Sequence, residues 1–185
     1  MKGKPLVLDL ISGKGALPLR LGATRQELVA EMAALGHQPS SELDHNAILQ
    51  AALVATLGEE GAKEFLPDEP PDRSNTLYFV ENAIEITFGA DETANFIGVS
   101  QHPQISLCLD GANLMQRPAR KVFDLLAARE KIAPPYTSTE VLFQSQIITL
   151  WNANPQYDIQ DPNVPVWAQI GLGNAEYLSA IKSAQ

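Results

Sequence analysis

The side chains that most often carry catalysis or bind metals are few in this sequence. The histidines are His37, His45 and His102, and the single cysteine is Cys108. His37 follows a predicted helix end and His45 lies in a second predicted helix, with no carboxylate at the spacing of a metal site. His102 lies in a predicted turn. We interpret the three histidines as surface or capping residues, with a metal site as the alternative.

Two further residues could act as a nucleophile and as an acid–base group. Cys108 lies mid-strand with no basic residue nearby to lower the pKa of its thiol, so we interpret it as buried and inert. A pair with His102 across a hairpin is the alternative, but it lacks a third group. Glu85 lies between two isoleucines on an alternating strand, which directs its side chain to solvent.

Gly13–Gly15 and Gly171–Gly173 are too short for nucleotide-binding loops and predict turns. We therefore predict no catalytic, cofactor-binding or metal-binding residue.

The acidic residues could instead attract the basic surface of a partner. The chain has 185 residues, 13 of them Lys or Arg and 22 Asp or Glu, which gives a net charge of −9. This balance argues against nucleic acid or an anionic membrane as the main partner, because both repel such a surface. Residues 26–116 carry a net charge of −13, whereas residues 1–25 carry +4 and residues 117–131 carry +3.

The densest acidic run is predicted to be the partner-binding surface. It comprises Glu59, Glu60, Glu64, Asp68, Glu69 and Asp72. The alternative is a solvated helix end and loop that keep the protein soluble. Tyr157, in a polar and acidic loop, is predicted to be an exposed anchor for the same partner. Trp151 and Trp167 are interpreted as core anchors, with a role at an interface as the alternative.

Length and composition predict one soluble domain. An apolar share of 45% suits a globular core, and no run of 18 apolar residues suggests a membrane span. The first residues lack the pattern of a signal peptide, so we expect a cytoplasmic protein. Within a single domain over residues 1–185, we expect a helical N-terminal part over 1–72 and a mainly β part over 73–185.

Helices are predicted from caps and apolar periodicity. Thr24 and Glu27 form a capping box that opens a helix with an apolar stripe ending near Gly36. A second helix is expected from Ser40 to Gly58, after short extended pieces in the first 21 residues. A third helix is expected over residues 118–131, and a short one follows Asn174 at the C-terminus.

Alternating β-branched and aromatic residues predict four strands between residues 75 and 109 and three between 141 and 170. Because consecutive strands lie one short turn apart, we expect them to pair antiparallel. The predicted fold class is α+β: an antiparallel β meander of about six to seven strands, with two N-terminal helices, one mid-chain helix and a short C-terminal helix.

Several stretches resemble small bacterial proteins that are encoded beside toxins. Residues 19–28, LRLGATRQEL, resemble the helix opening LGMTREEV, and residues 79–97 followed by LDG and PA resemble a strand meander with its helix entry. Leu142-Phe143 and residues 148–151, ITLW, resemble the segment lFpelgitLWr. The combination is similar to immunity proteins of contact-dependent growth inhibition and related polymorphic toxin systems. The helix opening also occurs in outer-membrane assembly lipoproteins and in β-lactamase-inhibitor-like domains, but this chain lacks the lipoprotein signal peptide and N-terminal cysteine.

This resemblance implies a non-enzymatic immunity protein that binds and neutralises a cognate toxin domain in the cytosol. Many such toxins are nucleases and therefore basic, which suits an acidic inhibitor. The expected partner is the toxin domain, without nucleic acid, membrane or cofactor, and the protein is a monomer or a homodimer. Two alternatives stay open: a housekeeping binding or scaffold domain, and an enzyme that uses Glu85, His102 or Cys108.

Overall fold

The computed structural model describes residues 5–40, 54–56, 58, 61, 75–157 and 163–184. The strands are β1 Leu6–Ile11, β2 Gly15–Leu17, β3 Leu19–Arg20, β4 Thr76–Phe79, β5 Ile84–Phe88, β6 Ala94–Ser100, β7 Ile105–Leu109, β8 Ala112–Asn113, β9 Glu140–Phe143, β10 Ile148–Asn154 and β11 Val166–Gly173. The helices are α1 Arg25–Ala34, α2 Ala119–Ala127 and α3 Ala175–Ala184, with a 3₁₀ helix at Pro155–Tyr157.

These strands form two sheets. The five-stranded sheet has the order β3-β2-β1-β7-β8, and the six-stranded sheet has the order β4-β5-β6-β11-β10-β9. All neighbours in the six-stranded sheet are antiparallel. In the five-stranded sheet β1 and β7 are parallel, with Leu6 opposite Ile105 and Asp9 opposite Cys108. The chain is thus a mixed α+β protein whose first strand pairs with one from the middle of the sequence.

The predicted single meander with two N-terminal helices is wrong. Three strands occupy residues 6–20, and α1 follows them. The predicted second helix falls mostly outside the described residues, of which 54–56, 58 and 61 are helical. The meander breaks after β6, because β7 joins β1 in the other sheet and β11 takes the place beside β6. In this pairing the alternating apolar residues of β1 lie opposite those of β7. Short turns predict only the pairing of consecutive strands, so they cannot predict the pairing of β1 with β7.

Most predictions from short sequence patterns agree with the structure better than the predicted meander does. The capping box is confirmed, since the Thr24 hydroxyl accepts from the Glu27 amide and the Glu27 carboxylate accepts from the Thr24 amide. The mid-chain and C-terminal helices are present as α2 and α3. Gly171–Gly173 is not a turn but the end of β11, where it continues to pair with β6.

One hydrophobic core joins the two sheets to α1 and α2. Its members include Leu8 of β1, Leu107 of β7, Met32 of α1, Phe143 of β9 and Val122 of α2. Each sheet therefore turns one face to this core and keeps a second face away from it.

Candidate functional site

The strand register defines the face of the six-stranded sheet that points away from the core. On β5, Ile84, Ile86 and Phe88 are buried in the core, so Glu85 lies on the opposite side. Glu85 pairs with Gly98, Gly98 with Gly171, Gly171 with Thr149, and Thr149 with Leu142. We call this side the outer face, formed by Glu85, Phe96, Gly98, Glu140, Leu142, Thr149, Trp151, Gln169, Gly171 and Gly173.

The outer face has glycines where aromatic rings lie against the backbone. A β-carbon at Gly171 would clash with Cζ3 of Trp151 and would stand 2.5 Å from Cε2 of Phe96. A β-carbon at Gly173 would clash with the ring of Tyr177, from α3. Glycine inside a strand commonly marks such a close approach. The two glycines therefore make the space that the three rings occupy.

The three rings also pack against one another. Phe96 is stacked on Tyr177, with 4.7 Å between ring centroids, and meets Trp151 edge to face at 5.7 Å. Asn174 holds α3 in place, since its backbone N–H donates to Asn95 and its side chain accepts from the Tyr177 amide. Phe96 is only 6% exposed. Trp151 and Tyr177 are half-buried and form the part of the cluster that a partner can reach.

The charged residues of the six strands, all of which are described, are Glu85 and Glu140. Neither carboxylate forms an ion pair within the described part of the chain. The amide nitrogen of Gln169 lies 3.5 Å from a carboxylate oxygen of Glu85. The outer face thus combines partly exposed aromatic rings with negative charge that no described Lys or Arg neutralises.

The pKa of Tyr177 reflects both the packing of its ring and the negative charge of the outer face. Burial raises the pKa of its phenol to about 12, and the charges of Glu140 and Glu85 act in the same direction. The hydroxyl of Thr149 opposes this shift. Thr149 itself is 1% exposed, and its hydroxyl makes no hydrogen bond of ordinary geometry within the described part of the chain.

The basic stretch 117–131 is more strongly neutralised than the outer face. The Nε of Arg120 lies 2.9 Å from a carboxylate oxygen of Asp124, and its guanidinium lies over the rings of Phe123 and Tyr136. Arg129, which is half-exposed, pairs with Asp110. Within the described part of the chain, partners engage two of the five basic residues of this stretch, whereas neither carboxylate of the outer face has an ion-pair partner there.

Of the residues that the sequence suggested for partner binding, only Tyr157 lies within the described part of the chain. Glu59, Glu60, Glu64, Asp68, Glu69 and Asp72 lie outside the described residues. Tyr157 ends the 3₁₀ helix and is half-buried, and its hydroxyl accepts a hydrogen bond from the Asn152 side chain at 3.1 Å. That bond ties Tyr157 to the residue that follows Trp151.

The tryptophans divide between core and surface. Trp167 is a core anchor, 1% exposed, and its indole N–H donates to the Ala119 carbonyl at 2.9 Å. Trp151 is not a core anchor, because it lies on the outer face and is only half-buried. The alternative role at an interface therefore fits Trp151.

The candidate catalytic residues Cys108 and His102 contact different neighbours. Cys108 faces Asp9 across β1 and β7, and burial together with that charge raises the pKa of the thiol. His102 accepts from the Gln104 amide through Nδ1, and its Nε2 lies 3.6 Å from a Glu81 carboxylate oxygen. His37, interpreted from the sequence as a surface or capping residue, is buried instead of exposed, and its backbone N–H donates to the Met32 carbonyl at the end of α1, as a capping residue does. His45 lies outside the described residues, and those described contain no group of three residues able to hold a metal.

Comparison of the chain with protein-family models, with curated proteins and with solved structures found no match. Within the described ranges, no helix has the length and apolar character needed to cross a membrane.

Proposed function

We propose that this protein is an immunity protein, which binds a toxin domain in the bacterial cytosol and neutralises it without catalysis. The observation that carries the proposal is the composition of the outer face. Trp151 and Tyr177 are partly exposed there, and Glu85 and Glu140 carry charge that no Lys or Arg among the described residues pairs with. Residues that dominate protein interfaces are often tryptophan and tyrosine, with polar groups at the rim.

Charge supports a basic toxin as the partner. The net charge of −9 and the two carboxylates of the outer face produce a negative potential that would accelerate the encounter with a basic protein. A nuclease domain is basic because it binds phosphates. The sequence resemblance to immunity proteins points to the same class of partner.

An enzyme based on Cys108 is less well supported. A thiol acts as a nucleophile in its ionised form, and both burial and the charge of Asp9 disfavour that form. A housekeeping scaffold would share the same binding face, so only identification of the partner distinguishes it from an immunity protein.

The test is protection of cells. The toxin domain encoded by the gene upstream is expressed in a bacterial host with and without this protein, and survival is measured. We expect this protein to restore growth and to co-elute with the toxin domain in size-exclusion chromatography. Trp151→Ala should weaken both effects, whereas Ile132→Ala, which truncates an exposed apolar side chain that is not part of the outer face, should not.

Absence of both protection and a complex would contradict the proposal. A complex without protection would favour the scaffold alternative. An acidic toxin domain would contradict electrostatic attraction as the cause of binding, even where protection is seen.

A further inference from the structure

We infer that the outer face binds an arginine side chain of the partner, with its guanidinium on the indole of Trp151 between Glu140 and Gln169. The inference rests on the proposed function in one respect, that the partner is a basic protein. The partner presents an arginine side chain, and Trp151, Glu140 and Gln169 receive it.

The strand register places the receiving groups side by side. Trp151 of β10 is directly opposite Glu140 of β9 and directly opposite Gln169 of β11. Directly opposed residues of antiparallel strands have β-carbons about 4.5–5.5 Å apart on the same side of the sheet. The indole therefore has a carboxylate on one side and a side-chain amide on the other, and the amide nitrogen reaches towards Glu85.

The inner side of the indole is already occupied. It lies against the backbone of Gly171 and meets the ring of Phe96 edge to face. The remainder of the ring is open to a ligand, since Trp151 is only half-buried, and the residue directly opposite it on β9 is Glu140. A cation placed there would gain from the electron-rich ring and from the carboxylate together.

Arginine suits this position better than lysine. Its guanidinium is planar, stacks on aromatic rings and donates through two parallel N–H groups to a carboxylate. It is also less strongly hydrated than an ammonium group, so it loses less on partial burial.

The same chain uses this combination twice within its own fold. The guanidinium of Arg25 lies 4.4 Å from the ring centroid of Phe88, and its Nε is 3.8 Å from Glu92. Arg120 likewise lies over two rings and pairs with Asp124. On the outer face the ring and the carboxylate are present, but no Lys or Arg among the described residues pairs with Glu85 or Glu140. A partner can supply the missing cation.

The test uses two peptides of equal charge, one of four Gly-Arg repeats and one of four Gly-Lys repeats, both blocked at their ends. Their binding to the full chain is measured by isothermal titration calorimetry at low salt. We expect the arginine peptide to bind more tightly than the lysine peptide. Trp151→Leu should weaken arginine-peptide binding about two- to fivefold, the size expected for an exposed cation–π contact.

Matched variants separate a local site from net charge. Glu140→Gln should weaken binding of the arginine peptide, whereas Glu31→Gln, which removes the same charge on α1, should change it much less. Trp151→Phe retains a ring and should lie between wild type and Trp151→Leu. Thermal unfolding of each variant confirms that the comparison is made on folded protein.

Equal effects of Glu140→Gln and Glu31→Gln, equal affinity for the two peptides, or unchanged binding by Trp151→Leu would each overturn the inference. Since no toxin is used, these results are independent of the cell-protection test. Protection without arginine selectivity would leave the proposed function standing and reject only this site.

Discussion

The indole of Trp151 lies against the backbone of Gly171, its diagonal neighbour on the adjacent strand. A β-carbon at position 171 would clash with Cζ3 of Trp151, and it would also stand 2.5 Å from Cε2 of Phe96. The missing side chain is thus what lets two rings meet over β11. The position of Trp151, and with it the candidate binding face, depends on a residue that has no side chain of its own.

Gly171→Ala should therefore destabilise the protein. Two rigid rings would have to move, and overpacking of this kind costs about 1–3 kcal/mol. The measurement is the free energy of unfolding in urea. Gly89→Ala is the control, because the group that its β-carbon would meet is the end of the flexible Glu176 side chain. A loss no larger for Gly171→Ala than for Gly89→Ala would show that the rings are free to shift.

Tyr177 should lose its proton later than an ordinary tyrosine. Burial, with the charges of Glu140 and Glu85, raises its pKa to about 12. The folded state then holds this proton more tightly than the unfolded state, so stability should fall as pH rises from about 10 towards 12. Spectrophotometric titration of phenolate absorbance should show a late transition that belongs to Tyr177.

Tyr177→Phe should remove that late transition and delay unfolding at alkaline pH. Tyr157→Phe is the matched control, in which the late transition should persist. If the late transition survives in Tyr177→Phe, it belongs to another tyrosine and the described environment of this phenol is wrong.

The sequence predicts those parts of the fold that local chemistry determines. The capping box of Thr24 and Glu27 is a property of four neighbouring residues and is found as expected. The same holds for β5, where alternation alone identifies Ile84 and Ile86 as the buried side. The pairing of β1 with β7 depends on residues about a hundred positions apart, and no local pattern encodes it.

The candidate site was largely invisible in the sequence for a related reason. Gly171 and Gly173 suggest a turn when read alone, because glycine favours turns. Only the antiparallel partner strands, and α3 beyond them, show that rings fill the space above both glycines. A signal was nevertheless present, since glycine in a run with alternating apolar residues can also mark a close approach within a strand.

Glu130 should stabilise the turn between β9 and β10. Its carboxylate accepts from the backbone N–H groups of Ser145 and Gln146 and from both of their side chains. Burial raises the pKa of this carboxyl, but these hydrogen bonds outweigh burial and lower it. Glu130→Gln replaces an acceptor oxygen with a donor group and should cost about 1–2 kcal/mol at neutral pH.

The pH dependence follows from the direction of that shift. Because the pKa is lower in the folded state, the contribution is complete above about pH 4.3 and is lost as pH falls through the folded pKa. The difference in urea stability between wild type and Glu130→Gln should therefore shrink on acidification below about pH 4. Ser145→Ala should give a smaller loss with the same trend. A difference that stays constant with pH would mean that the carboxylate charge is not involved.

Cys108 should react slowly with thiol reagents because of its neighbour Asp9. Burial comes first and the charge of Asp9 second in raising the pKa of this thiol, so less thiolate is present at a given pH. Asp9→Asn removes the second contribution and should accelerate the reaction with a disulfide reagent at mildly alkaline pH. The acceleration should diminish in high salt, which screens the charge that wild type retains. Glu31→Gln, with the same loss of charge on α1, should leave the rate unchanged. An equal acceleration in both variants would assign the effect to net charge instead of to the pairing of β1 with β7.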